Sequence, residues 1–391
     1  MNDALPKSGH FPVLLQQELC YKLLRDEPTT WRYGEDAATV TSFIDFLQFH
    51  GIECLVLERL DLLADCPASL RARLAPLVRA RAAIELRSRQ AMDAVLAALA
   101  AANIEVLTYK GAALAYSLYR NPVWRTRSDT DMLIGEDKLE TAIALLLQLG
   151  YRRTTTDDEI VFYQLDFGKP DAAGAGQNID LHWKLSNSEV LCDLLPFGEL
   201  WSRRQQVPAL SVHANTVAAA DALLIACLHR GIHQQASYTV NDITHHTGDR
   251  LIWLYDIDQL ARAFGVQQWL DFFALARGKG LVATCRQGLL KAQQAFATPL
   301  PDTWAAELAG AAIAMPDRYL QGGAIKRHWY DLQACKGIRN KARHCVQVLL
   351  PPAEYMRHKY ADSRVRWLPW LYLRRAVSGL LMRWRQGDDS A

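Results

Sequence analysis

An α+β protein, with a small mixed-sheet domain standing between two helical regions, is what this sequence predicts. Residues 11–101 carry apolar side chains at helical spacing, the chain returns to that spacing from Thr216 onward, and the stretch between them breaks into short β-type runs separated by brief helical ones. The expected organisation is a helical N-terminal region over 1–101, a mixed-sheet domain over 102–212 and a helical C-terminal domain with a basic tail over 213–391.

Taken in order, the N-terminal region includes an Ala/Arg/Leu-rich run at 68–101, in which Pro76 is expected to break or kink the helix because it lacks an N–H and its ring collides with the preceding turn. A strand follows at 104–109, a short helix at 112–119 and a second strand at 128–134. A helix at 136–149 ends at Gly150, a residue suited to a helix C-terminus. Two further strands, 160–167 and 178–183, flank the irregular loop GKPDAAGAGQ. Helices are expected at 217–234, 249–264, 266–279, 281–296 and 303–314, and a Pro-interrupted basic tail follows.

At 391 residues, half of them hydrophobic, the chain has ample material for a core. Its eight cysteines are scattered without CxxC pairing, which argues against structural zinc and against a disulfide framework. Neither a secretory leader nor a long uncharged apolar run is evident, so the expected location is cytoplasmic. Residues 324–391 hold 14 Lys and Arg against 5 acids, a local +9 that leaves −7 for the rest of a chain whose net charge is +2. Such a tail suits RNA or peripheral contact with an anionic membrane, although basic helical faces are more often simply solvated.

The chemistry is concentrated in Arg125-Thr-Arg-Ser-Asp-Thr-Asp-Met-Leu-Ile134. Side chains alternate along a strand, so Asp129 and Asp131 point one way and Thr130 and Met132 the other. In Ile179-Asp-Leu-His-Trp183 the same alternation puts Asp180 and His182 together, opposite an apolar face. Where the two strands adjoin, three carboxylates converge, and divalent cations are the usual relief for that repulsion. Lys110-Gly111-Ala112 lies where a strand turns into a helix, aiming backbone N–H groups and the positive end of the helix at an anion; Gly111 would let a phosphate come close.

These residues resemble the nucleotidyltransferases of the DNA polymerase β superfamily. Within them the chain is similar to a bacterial family of uncharacterised nucleotidyltransferases, through Lys110-Gly111-Ala112, Arg127 to Asp131 and Asp180 to Trp183. The resemblance extends through Leu228-His229, His233 and Arg250 to Asp256, over about 100–375. The wider superfamily usually has Gly-Ser or Gly-Gly where this chain has Gly111-Ala112, which removes a side-chain contact to the triphosphate.

The resemblance implies a polymerase β-like fold and attack of an acceptor hydroxyl on the α-phosphate of an NTP, with pyrophosphate leaving. It implies two Mg²⁺ ions, with Mn²⁺ as an alternative, held by Asp129, Asp131 and Asp180. Lys110, Gly111, Ala112, Arg125, Arg127 and His182 are the expected nucleotide-binding residues, and Arg127 leads among the cations as lying two residues before Asp129 on the same strand face.

His229 and His233 fall four apart on one helical face; lining the nucleotide or acceptor cleft, or hydrogen bonding to Asp256, fits them better than zinc, because the Glu of an HExxH motif is missing. His245-His246 is expected in a loop, and the Trp/Leu/Arg-rich 364–385 segment is expected to dock on the protein's own helices. The acceptor is not readable: a small molecule, glycan precursor, peptide or protein, and RNA all suit one metal site. The competing readings are a toxin-like tRNA nucleotidyltransferase and, in another class, a non-catalytic nucleotide-binding or scaffolding protein.

Overall fold

The structure, a computed structural model, describes residues 12–154, 163–170, 176–234, 238–240, 243–245, 248–309 and 313–350, with 353, 356–357, 360 and 367–375 beyond. Helices α1 (Val13–Leu24), α2 (Ala37–His50), α3 (Glu53–Leu57) and the 34-residue α4 (Ala68–Ala101) build the N-terminal part. Asp36 caps α2 by accepting from the backbone N–H groups of Ala38 and Thr39, and Gly51 ends it in the left-handed conformation that glycine adopts without a Cβ penalty. Pro76 lies inside α4 and does not break it. Strong helix formers on both sides carry the helix past one lost hydrogen bond.

A mixed five-stranded sheet forms the middle. Its strands are β1 (Val106–Tyr109), β2 (Thr130–Ile134), β3 (Arg152–Arg153), β4 (Gln164–Lys169) and β5 (Gln177–His182), in spatial order β1-β2-β5-β4-β3. Strand β2 runs parallel to β5, and every other neighbour is antiparallel. The expected strand at 160–167 is shifted onto β4, and residues 160–162, like 171–175 of the glycine-rich loop, lie outside the described residues. Helix α5 (Lys110–Ser117) follows β1 directly, and α6 (Leu139–Gln148) follows β2 after a single 3₁₀ turn.

Alternation along the strands sends Val106, Met132, Ile134, Phe167, Ile179 and Leu181 into one core with Val95, Leu96 and Leu99 of α4 and Leu146 of α6. The opposite face gives Leu107, Tyr109 and Leu133 to a second, larger core. That core also takes Phe43 and Leu47 of α2, Leu200 of α7 (Phe197–Ser202) and the apolar faces of α8 (Ala219–His233), α9 (Leu251–Ala263), α10 (Val266–Gly278) and α11 (Val282–Phe296), so N- and C-terminal helices are packed together.

Two local expectations are corrected. The helix expected over 303–314 stops at Glu307, and the next begins at Met315. His245 ends a two-stranded hairpin, Tyr238–Val240 with Ile243–His245, rather than lying in a loop, in keeping with the β-branched Thr239, Val240, Ile243 and Thr244; His246 lies outside the described residues. No helix among the described residues is long and apolar enough to cross a membrane.

Candidate active site

The sheet register decides the site. On the face turned toward the larger core, Tyr109 of β1 stands opposite Asp131 of β2, Asp131 beside Asp180 of β5, and Asp180 opposite Asp166 of β4. Three carboxylates thus lie abreast on three adjoining strands. Asp166 was not anticipated, although Leu165 and Phe167 on either side of it carry the alternation that marks it as facing the same way.

Donor atoms of Asp131, Asp180 and His182 lie within 4.8 Å of one another, close enough to hold one cation. His182 Nε2 is buried, 3.3 Å from Asp131 Oδ1, yet makes no aligned hydrogen bond. A buried ring nitrogen short of an aligned hydrogen bond, beside two carboxylates, is a donor group that could hold a divalent metal, so the residues fit one. Asp129 stands outside this group. It precedes the first ladder residue of β2, Thr130, so the pleat does not fix its side chain, and its Oδ2 instead accepts a hydrogen bond from the Ser128 hydroxyl at 3.1 Å.

Electrostatics reflect the crowding. Burial, then the charges of Asp129, Asp131 and Asp166, push the Asp180 carboxyl up to about 9. Burial and Asp131 likewise raise Asp129. Asp131 goes the other way: burial favours its proton, but the Lys110 ammonium and His182 outweigh that and hold it well below the carboxylate range. Lys110 Nζ donates to Asp131 Oδ1 at 2.6 Å, which makes it the counter-ion of the cluster. Lys110 also has φ +54°, a left-handed backbone uncommon outside glycine; the cost, about 1 kcal/mol or more, falls where the chain turns from β1 into α5.

The expected arginines are otherwise engaged. Arg125 is buried, with Nε 2.8 Å and Nη2 2.8 Å from the two carboxylate oxygens of Asp256, which also accepts from the Tyr119 hydroxyl at 2.7 Å. Arg127 precedes β2 instead of lying on it, and grips Glu85 of α4 through Nη1 and Nη2, each at 2.8 Å. Gly111 backs onto Arg125: a Cβ there would sit 3.3 Å from the guanidinium, so the missing side chain makes room for that arginine. Ala112 is buried within α5.

These groups border a cleft of about 670 Å³ between the sheet and the C-terminal helices, lined by Lys110, Gly111, Arg125, Arg127, Asp129, Asp131, Asp180 and His182. Its far wall is aromatic: the His229 and His233 rings are 4.4 Å apart, and both pack on Trp253 of α9, at 5.2 and 5.3 Å. Burial and the neighbouring His233 and Lys110 depress His229 well below its ordinary value, while burial and Lys110 lower His233 to about 4, so both are neutral near pH 7. The pair lines the cleft, and Arg125 and Tyr119 donate to the Asp256 carboxylate on the same wall. A smaller cavity of about 210 Å³ lies on the other side of the 125–129 segment and shares Arg81, Arg125, Arg127 and Asp129 with the cleft.

Of the tail, the helix over 368–375 is described, with the Arg374 guanidinium 4.8 Å from the Tyr360 ring, while 361–366 and 376–391 lie outside the described residues.

The model of a family described as an uncharacterised nucleotidyltransferase matches residues 36–297, about two thirds of the chain and all of the cleft residues named above. No curated protein matches the chain. Nucleotidyltransferases generally use divalent metals, in keeping with the Asp131, Asp180 and His182 group.

Proposed function

The chain belongs to the uncharacterised nucleotidyltransferase family, and from that premise we propose that it transfers a nucleoside monophosphate from an NTP to an acceptor hydroxyl, releasing pyrophosphate, on a polymerase β-like fold. The observation that carries this reading is the pairing of Asp131 with Asp180 on parallel neighbouring strands, at the floor of a cleft large enough for a nucleotide.

Asp131, Asp180 and His182, with Asp129 lining the same cleft, are the residues that would hold Mg²⁺ or Mn²⁺. A divalent cation bound there supplies charge against the phosphate oxygens and Lewis acidity at the α-phosphate. The acceptor oxygen forms a bond to the α-phosphorus in line with the departing β-phosphate oxygen, the hydroxyl proton passes to a cleft carboxylate, a role we assign to Asp180 in its ionised form, and the electron pair of the broken P–O bond departs with pyrophosphate. Lys110, whose ammonium stands beside Asp131 in the cleft, would meet the phosphate oxygens as a point charge. Neutral His229 and His233, backed by Trp253, offer an uncharged aromatic wall for the nucleobase.

The test is transfer from each α-³²P-labelled NTP, with Mg²⁺ or Mn²⁺, into the small-molecule, RNA and protein fractions of a bacterial lysate. Label in one fraction that vanishes with Asp129→Ala/Asp131→Ala supports the reading and names the acceptor class. No label with either protein, alongside metal-dependent NTP binding, replaces it with a nucleotide-binding module.

A further inference from the structure

Arg125 is committed to Asp256 and Arg127 to Glu85, and Arg250 donates from Nε to the Phe49 carbonyl oxygen at 2.7 Å, so Arg81 is a further guanidinium bordering the cleft. Arg81, on α4, lines both the cleft and the smaller cavity, and so stands where they meet at the 125–129 segment. Its Nε donates to Glu53 Oε1 at 3.2 Å, while its Nη1 and Nη2 donate to no described residue. The Arg81 side chain is about one third exposed, whereas Glu53, the first residue of α3, is wholly buried.

Glu53 is an expensive residue to keep. Burial works against its charge, Arg81 is its hydrogen-bonded partner, and Oε2 has no hydrogen-bond partner among the described residues. A buried ion pair adds little to stability compared with apolar side chains of the same volume, so stability alone gives little reason for this one. What the pair achieves is geometric. Nε is held by the buried Glu53 carboxyl, while the two Nη groups, a fork suited to phosphate oxygens, remain for the cleft that Arg81 lines.

We propose that Arg81, oriented by Glu53 as a positioning residue, binds the β- and γ-phosphates of the incoming NTP. This rests on the nucleotidyltransferase reading of the cleft, and it adds to the site a residue from the N-terminal helices, 29 positions before Lys110.

The experiment is calorimetry on the full chain with Mg²⁺, titrating ATP, CTP, GTP and UTP and then the four matching monophosphates. For the NTP that the wild type prefers, Arg81→Ala should weaken binding by about 10- to 100-fold, as loss of charge-assisted hydrogen bonds does, while leaving the monophosphate unchanged. Arg81→Lys should recover part of the loss, retaining charge without the fork. Glu53→Gln, which keeps an acceptor for Nε, should hold more of the triphosphate preference than Glu53→Ala. A general packing defect would weaken both nucleotides alike and leave their ratio unmoved. The proposal is overturned if Arg81→Ala and Arg81→Lys, folded by circular dichroism, keep the wild-type ratio of triphosphate to monophosphate affinity. A wild type that binds no nucleotide overturns the reading of the cleft itself.

Discussion

Arg125 and Asp256 are 131 residues apart in sequence and bonded in the structure, with the Arg125 Nε and Nη2 groups each 2.8 Å from a carboxylate oxygen of a residue on α9. The pair ties the segment leading into the acidic strand to the C-terminal helices that make the far wall of the cleft. Removing one partner leaves a buried charge without its counterpart, so Asp256→Ala and Arg125→Ala should each cost about 3–5 kcal/mol. In urea unfolding the double variant should lose clearly less than the sum of the two; additive losses would mean the pair does not couple the halves.

Gly111→Ala tests the same contact from the other side. The added Cβ would press on the guanidinium from 3.3 Å, and the expected cost is about 1–3 kcal/mol. Thermal melting of the Gly111 variant in the Arg125→Ala background should show little further loss, because the crowded group is gone.

Asp180 links acidity to metal binding. Its proton, held up to about 9 by burial and by Asp129, Asp131 and Asp166, must leave before a cation can bind. Affinity for Mn²⁺ should therefore climb as pH rises toward 9, by at most about tenfold per unit for one displaced proton. The folded carboxyl keeps that proton through a range in which the unfolded one, with an ordinary value near 3.8, has lost it. The cation-free fold accordingly loses stability from this group as pH rises from about 4 to 9. Asp180→Asn should melt higher than the wild type at pH 8 without metal, abolish transfer and flatten the pH dependence of Mn²⁺ binding; an unchanged slope would count against Asp180 as the titrating group.

The histidine pair gives the opposite sign. His233 is lowered to about 4 and His229 well below its ordinary value of 6.5, so each is neutral in the fold where the unfolded chain takes up a proton. Their contribution is complete above pH 6.5 and is lost as pH falls from there to about 4. Melting temperature should drop across that window, and less steeply in His229→Gln/His233→Gln, in scans from pH 7.5 to 4.5.

Much of the site was legible in the sequence because strand alternation is local. Asp131 facing away from Met132, and Asp180 with His182 facing away from Ile179 and Leu181, follow from the two-residue period of a strand, and the helices around the sheet from apolar spacing. Family membership followed from the same short motifs. What the chain could not show by itself is partnership. Register set Asp131 beside Asp180 and brought Asp166 into line with them, the start of β2 left Asp129 outside the group that His182 joined, and long-range packing gave Arg125 to Asp256 and Arg127 to Glu85. Local periodicity fixes which way a side chain points along its own element, whereas what it meets is decided by chain segments far away in sequence, and a charged group is claimed by whichever opposite charge the fold buries beside it.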